Sequence, residues 1–196
     1  ASDVYKRQNY ALCIVDTGGS HADLTPEYAA VPNEMKAVAK FFGKEVLSQI
    51  SSSDVMTHIP ALREACGDRA VLRAIHFFRE DKRAQGESDA LERGDFQAFL
   101  GLVQNSGQSS YDLLQNVYAA SSPKEQPAAV ALAVGTALLG GRGAIRIHGG
   151  GFGGTIQAFV PTVLLSQFCS GMNAALGKDC CHILQIRSIG GTTILI

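Results

Sequence analysis

Five glycines gathered around one phenylalanine form the stretch of this sequence best suited to chemistry. They are Gly149, Gly150, Gly151, Gly153 and Gly154, with Phe152 among them. Because glycine has no Cβ and adopts positive φ without strain, such a loop lets backbone N–H groups converge on an anion. The stretch therefore indicates a loop that lies against the phosphates of a nucleotide. A glycine-rich hairpin that binds nothing is the alternative.

The same glycines also match the dinucleotide-binding pattern G-x-G-x-x-G, through Gly149, Gly151 and Gly154. In that fold the third glycine begins a helix whose N-terminus holds the pyrophosphate. Here residues 155–160 alternate in character and include β-branched side chains, which is typical of a strand. This context argues against a dinucleotide-binding fold.

Two other groups could do chemistry. Asp16, Ser20, His21 and Asp23 supply the residue types of a hydrolase triad, but no nucleophile-elbow pattern accompanies them, and a solvated turn is the favoured interpretation. His148 directly precedes the glycine loop. It either contacts phosphate or is hydrogen-bonded at the end of a strand.

The five cysteines carry no recognisable pattern. They are Cys13, Cys66, Cys169, Cys180 and Cys181, an odd number without C-x-x-C spacing. Cys180 and Cys181 precede His182, but consecutive side chains of a strand point to opposite faces and do not easily share an ion. The sequence therefore predicts no metal site, no disulfide framework and a cytoplasmic location.

The composition of the chain indicates which classes of partner it is not expected to bind. Of the 196 residues, 46% are hydrophobic and 18% are charged, and the formal net charge is −1. A chain without a basic stripe is not expected to bind nucleic acid. The longest apolar run, residues 128–139, is shorter than the roughly 18 residues that a membrane span needs. No membrane partner is expected either.

The first half of the chain reads as one strand followed by helices. Residues 10–15 predict a strand, and Thr25 is expected to cap a helix that Pro26 begins and Gly43 ends. Residues 51–54 are expected to form a loop ahead of a short helix over 60–65. Asp68 is expected to cap a long helix that runs to about Glu92, with Arg73, Glu80 and Lys82 solvated and an interruption at Gly86; Asp95 caps the next helix.

The second half predicts the sheet. Residues 121–123 are expected to cap a segment that leads into a buried helix over 128–139. Strands over 144–147 and 155–160 follow, then a helix over 162–176 and a strand over 181–186. This order predicts the α+β class, with an antiparallel sheet and helices packed on one face.

From Asn9 onward the sequence resembles the GHMP small-molecule kinases and, within them, the C-terminal half of galactokinases. The glycine loop is similar to the third signature motif of that superfamily, which also lies between two strands. Weaker similarities cover residues 13–17, 21, 26–28, 90–96 and 105–106. The resemblance implies a ferredoxin-like sheet.

The resemblance also implies a reaction and its site. The γ-phosphoryl group of ATP would be transferred, with Mg²⁺, to the anomeric hydroxyl of galactose. Tyr28 would contact the sugar, and the glycine loop would line the terminal phosphates; the loop comprises Gly149, Gly150, Gly151, Phe152, Gly153 and Gly154. The catalytic aspartate, the serine-rich phosphate loop and the metal ligands would belong to an N-terminal half that is missing here.

Residues 1–8 match the translated end of a sequencing-library adaptor, so they are expected to be a non-native leader. Residues 9–196 would then form the C-terminal domain, which is expected to be inactive without the N-terminal half. Two alternatives remain open. One is another GHMP kinase, acting on N-acetylgalactosamine or an isoprenoid alcohol, and the other is a non-catalytic sensor of sugar or nucleotide.

Overall fold

A four-stranded antiparallel sheet organises the chain. The computed structural model describes residues 9–19 and 24–185. Its strands are β1 (Tyr10–Asp16), β2 (Ala144–Ile147), β3 (Thr155–Pro161) and β4 (Cys181–Leu184), in the order β2-β3-β1-β4. The predicted strands and the antiparallel, ferredoxin-like arrangement are confirmed.

Most of the helices lie between β1 and β2. They are α1 (Thr25–Phe41), α2 (Ser52–Thr57), α3 (Ile59–Cys66), α4 (Asp68–Glu92), α5 (Phe96–Ser109) and α6 (Pro127–Leu139), and α7 (Leu165–Leu176) follows β3. A π-helical turn, Ser110–Leu114, continues α5, and short 3₁₀ turns occupy Leu47–Gln49 and Thr162–Leu164. Within the described ranges, no helix combines the length and hydrophobicity that crossing a bilayer requires.

Both faces of the sheet are packed against helices. One face carries Cys13, Val15 and Ala158, which pack with α6 and α7 in the main core. Strand side chains alternate between faces, so Phe159 points the other way and packs against Phe99 and its neighbours on α5. The predicted single layer of helices corresponds to α6 and α7, and α5 is an addition that the order of elements did not reveal.

A third hydrophobic cluster forms the core of a helical subdomain beside the sheet. Its buried side chains come from the 3₁₀ turn Leu47–Gln49 and from all four helices α1 to α4, and include Val38, Leu62 and Ala74. The long helix α4 packs against both α1 and α5. Helix α4 therefore connects the helical subdomain to the helix that packs on the sheet.

Several predicted helix starts are wrong. Residues 51–54 are the start of α2 and not a loop, because Ser51 and Asp54 form a reciprocal capping box. Gly67 occupies the N-cap of α4, while the predicted cap Asp68 instead pairs with Arg63. Leu24 occupies the N-cap of α1, so Thr25 is already inside the helix.

Three further differences concern the middle of the chain. Helix α4 is continuous through Gly86, where the missing side chain lets Leu102 of α5 approach; a Cβ there would lie 3.3 Å from its Cδ1. Arg73 is fully buried and not solvated. Residues 121–123 lie in turns, and α6 begins only at Pro127.

Some predictions fall outside the described residues. These are the leader over residues 1–8, the turn residues Ser20, His21 and Asp23, and the last residue of the predicted strand over 181–186.

Candidate functional site

The glycine loop joins β2 to β3 at one end of the sheet. The hairpin is closed by a hydrogen bond from the His148 amide to the Thr155 carbonyl, 3.1 Å long. Gly149, Gly151 and Gly154 have φ values of 65°, 82° and 75°, which L side chains rarely adopt. The glycines are thus required by the backbone path of the loop.

Asn116 fixes the shape of the loop. Its side-chain Nδ2 donates to the Gly150 carbonyl at 3.1 Å, and its own carbonyl accepts from the amide of Phe152. Asn116 is buried, and a Cβ on Gly151 would collide with the Asn116 carbonyl oxygen. Substituting Gly151 must therefore displace either the loop or Asn116.

Tyr28 of α1 holds the loop from another side. Its hydroxyl donates to the Gly151 carbonyl at 2.8 Å, and its ring meets Phe152 edge to face with the centroids 5.3 Å apart. Burial raises the pKa of Tyr28, so the hydroxyl stays protonated. A Cβ on Gly150 would lie 2.8 Å from Cε1 of this ring, so Tyr28 and the glycines fit closely.

The turn after β1 lies beside the end of the loop. The Thr17 amide donates to the Gly154 carbonyl at 2.8 Å. Gly19 packs so closely that a Cβ would lie 3.4 Å from the Cα of Gly153. Asp16 accepts from the Gly18 amide at 2.9 Å, which shapes this turn. The two segments that the sequence singled out separately are therefore neighbours.

His148 is engaged within the hairpin. Its Nδ1 lies 3.0 Å from Oγ1 of Thr155, and the residue is exposed. This is the hydrogen-bonded alternative of the two that the sequence left open. Gly149 and Gly150 are also exposed, and their amides have no acceptor in the described part of the chain. Both amides are available to an anion.

The buried side chain of Arg73 holds the segment that leads to Asn116. Arg73 of α4 donates through Nε to the Leu114 carbonyl at 3.0 Å, and its guanidinium pairs with Glu34 of α1 at 3.0 Å. Leu114 ends the π-helical turn, and Gln115 follows with a φ of 56° to deliver Asn116 to the loop. Arg73 thus links α1, α4 and the segment that contacts the glycines.

A separate cluster of three thiols lies on the face of the sheet that packs against α7. The sulfur atoms of Cys13, Cys169 and Cys181 lie within 4.8 Å of one another. Burial raises the pKa of Cys169 to about 11. These three positions are far apart in the chain and form no spacing pattern, so the cluster could not be predicted from the sequence. It is the one group of three potential metal ligands found among the described residues.

Comparison with known proteins identifies the relatives. No family model matches the chain. A galactokinase of Mannheimia succiniciproducens is 33% identical over 153 residues, which are 78% of this chain and 38% of that protein. A galactokinase of Glaesserella parasuis is 30% identical over 154 residues, 79% of this chain and 38% of that protein. Over these residues the chain is similar to galactokinases. It spans 38% of the length of these curated relatives.

Two solved structures share the fold of this chain. Lactococcus lactis galactokinase complexed with galactose aligns with a TM-score of 0.67 and 22% identity, over 91% of this chain and 45% of that one. L. major mevalonate kinase in complex with R-mevalonate aligns with a TM-score of 0.50 and 12% identity, over 89% and 41%. At these identities the likeness concerns the fold.

Proposed function

We propose that this chain is the C-terminal part of a cytoplasmic galactokinase, which transfers the γ-phosphoryl group of ATP to the anomeric hydroxyl of galactose. The observation that carries the proposal is the 33% identity to a galactokinase over 153 residues. The glycine loop supports the proposal. Asn116 and Tyr28 hold its backbone in place, and the amides of Gly149 and Gly150 are exposed.

The loop would act on the terminal phosphates of ATP. Phosphoryl transfer depends mainly on positioning and on neutralising charge around the phosphates. The exposed amides of Gly149 and Gly150 supply donors for such charge. Asn116 and Tyr28 already hold the loop in place, so little ordering has to accompany binding.

Tyr28 is the proposed sugar contact. Its hydroxyl donates to the Gly151 carbonyl, and a phenolic oxygen that donates one hydrogen bond can also accept one, here from a sugar hydroxyl. One residue would then place the sugar and the phosphate loop in a fixed relation. This relation is what in-line transfer requires.

Magnesium does not fit the described residues of this chain. Mg²⁺ prefers oxygen ligands in octahedral geometry, whereas the one three-ligand group that the described ranges contain consists of thiols. In the proposed full-length kinase, the Mg²⁺ ligands and the catalytic aspartate would come from the nucleotide and from residues that this chain does not include. The chain alone is therefore expected to show no ADP release with ATP, Mg²⁺ and galactose.

The proposal is tested with the protein encoded by the uninterrupted reading frame. It is assayed with ATP and Mg²⁺ against galactose, N-acetylgalactosamine, mevalonate and a no-sugar control. We expect the highest kcat/KM with galactose and phosphate on the anomeric oxygen, determined by NMR of the product. Preference for another acceptor contradicts the galactokinase assignment, and ATP binding without any turnover favours a sensor.

The loop is tested by Gly151→Ala in that protein. A methyl group there meets the Asn116 carbonyl and a φ of 82°, so the loop must shift. A displacement on the order of 1 Å near the chemistry can cost about 100-fold in rate, and we expect a loss of that size in kcat/KM for ATP. The matched control is Gly101→Ala, where a Cβ meets nothing within 4 Å. Equal activity of the two variants would show that the loop is not part of the ATP site.

A further inference from the structure

Three elements bring one thiol each to a single point. Cys13 belongs to β1, Cys169 to α7 and Cys181 to β4. The sulfurs of Cys169 and Cys181 lie 3.2 Å apart, and all three lie within 4.8 Å of one another. The cluster is separate from the glycine loop and does not depend on the proposed kinase activity.

Strand register explains the convergence. Val15 pairs with Cys181 and Cys13 pairs with Ile183, so the two cysteines lie diagonally on the same face of adjacent strands. Helix α7 packs on that face and adds Cys169. Cys13 is fully buried, while Cys169 and Cys181 are partly exposed, so the cluster lies at the border between the core and the surface.

We propose that Cys13, Cys169 and Cys181 bind one divalent d¹⁰ ion of the Zn²⁺ type, with water as the fourth ligand. Tetrahedral Zn–S bonds of about 2.3 Å place sulfurs about 3.8 Å apart. The observed separations are close to this value, at 3.2 Å for Cys169 and Cys181 and at most 4.8 Å for any pair. Each thiol gives its proton to solvent as the metal–sulfur bond forms, so binding releases three protons.

Charge favours a divalent ion over a monovalent one. Three thiolates and a divalent ion leave a net charge of −1, whereas Cu⁺ would leave −2. The site is partly buried, and uncompensated charge is costly there. Soft thiolate ligands favour d¹⁰ ions over Mg²⁺ or Ca²⁺. The bound ion would join edge strand β4 to β1 and α7.

The test is a titration of the reduced chain with Cd²⁺, followed by thiolate-to-metal charge-transfer absorption in the ultraviolet. We expect one Cd²⁺ per chain, one Zn²⁺ per chain that Cd²⁺ displaces, because thiolates prefer the softer ion, and a higher melting temperature with either ion bound. Cys181→Ser and Cys169→Ser should each lower the affinity about 100-fold or more, since removing even a supporting group costs 10- to 100-fold. Cys66→Ser is the matched control, because Cys66 lies outside the cluster and should leave binding unchanged.

Three outcomes would overturn the proposal. The first is equal loss of binding in Cys66→Ser. The second is a titration that saturates only with several ions per chain. The third is a Cd²⁺ titration in which no thiolate-to-metal charge-transfer absorption appears. If Cys181→Ser unfolds, Cys169→Ser decides alone, because Cys169 is a partly exposed helix residue.

Discussion

At the residue scale, the candidate site depends on side chains that hold backbone in place. Tyr28 and Asn116 both hydrogen-bond to carbonyls of the glycine loop. The sequence pointed to Tyr28 through its resemblance to a motif, but nothing marked Asn116, which lies 34 positions before Gly150. A long-range contact of one polar side chain has no periodicity or spacing by which sequence analysis could find it.

Tyr28→Phe separates the two roles of the tyrosine. The variant loses one hydrogen bond, so we expect about 1 kcal/mol less stability, measured by urea denaturation. In the full-length protein we also expect KM for galactose to rise about fivefold, because the accepting oxygen is gone. Tyr111→Phe, at an exposed tyrosine, is the control. Lower stability with an unchanged KM for galactose would show that Tyr28 holds the loop but does not contact the sugar.

His76 gives the fold a dependence on pH. It is buried, lies 2.9 Å from the Ser109 hydroxyl, and burial lowers its pKa. The unfolded chain therefore binds a proton more readily than the folded one, and stability is lost as pH falls below about 6.5 toward the lower folded pKa. We expect denaturation midpoints to fall more steeply between pH 7 and 5 for the wild type than for His76→Gln. Parallel curves would refute this.

At the scale of elements, a buried ion pair links the helices to the site. Arg73 is completely buried, pairs with Glu34 and donates to the carbonyl of Leu114. Arg73→Met breaks this pair but leaves Glu34 paired with Arg69 at 2.6 Å, so we expect a loss of about 2 kcal/mol, below the roughly 3 kcal/mol for a buried charge left without a partner. We expect a melting temperature several degrees lower and weaker ATP binding in the full-length protein.

Arg63→Met is the control for that variant. Arg63 also forms an ion pair, with Asp68, but both side chains are largely exposed at 60% and 67%. Solvent screens such a pair, so little change is expected. Similar effects of the two substitutions would show that Arg73 contributes no more than a surface charge.

The helices and strands also show how much of the fold could be predicted from the sequence. The strands and the continuous apolar helix before β2 were found because alternation and hydrophobic runs report burial directly. Helix starts were missed where competing contacts decided them, as when Asp68 paired with Arg63 instead of capping. Arg73 was expected in solvent because an arginine on a helix usually lies there, and its partner on α1 is 39 positions away.

At the scale of the whole molecule, the chain corresponds to part of its relatives. It spans 38% of the curated galactokinases and 45% of the Lactococcus lactis structure. Strand β4, which lies at the edge of the sheet formed by the described residues, carries Ile183 and Leu184, which are 54% and 44% exposed. Exposed apolar residues on an edge strand favour association between chains.

We therefore expect the isolated chain to self-associate. Sedimentation velocity should show species larger than the monomer, with a distribution that depends on concentration. Ile183→Lys should shift the distribution toward monomer, because a charge on an edge strand opposes pairing. Val163→Lys, at a residue 84% exposed in a turn, is the control. A monodisperse chain that melts cooperatively would contradict this expectation.

The most direct test of the account is a crystal structure of the full-length protein with galactose and a non-hydrolysable ATP analogue. The account predicts terminal phosphate oxygens within about 3 Å of amides in the loop from Gly149 to Gly154, and the sugar beside Tyr28. Phosphates bound elsewhere, with the loop and its contacts to Asn116 unchanged, would contradict it.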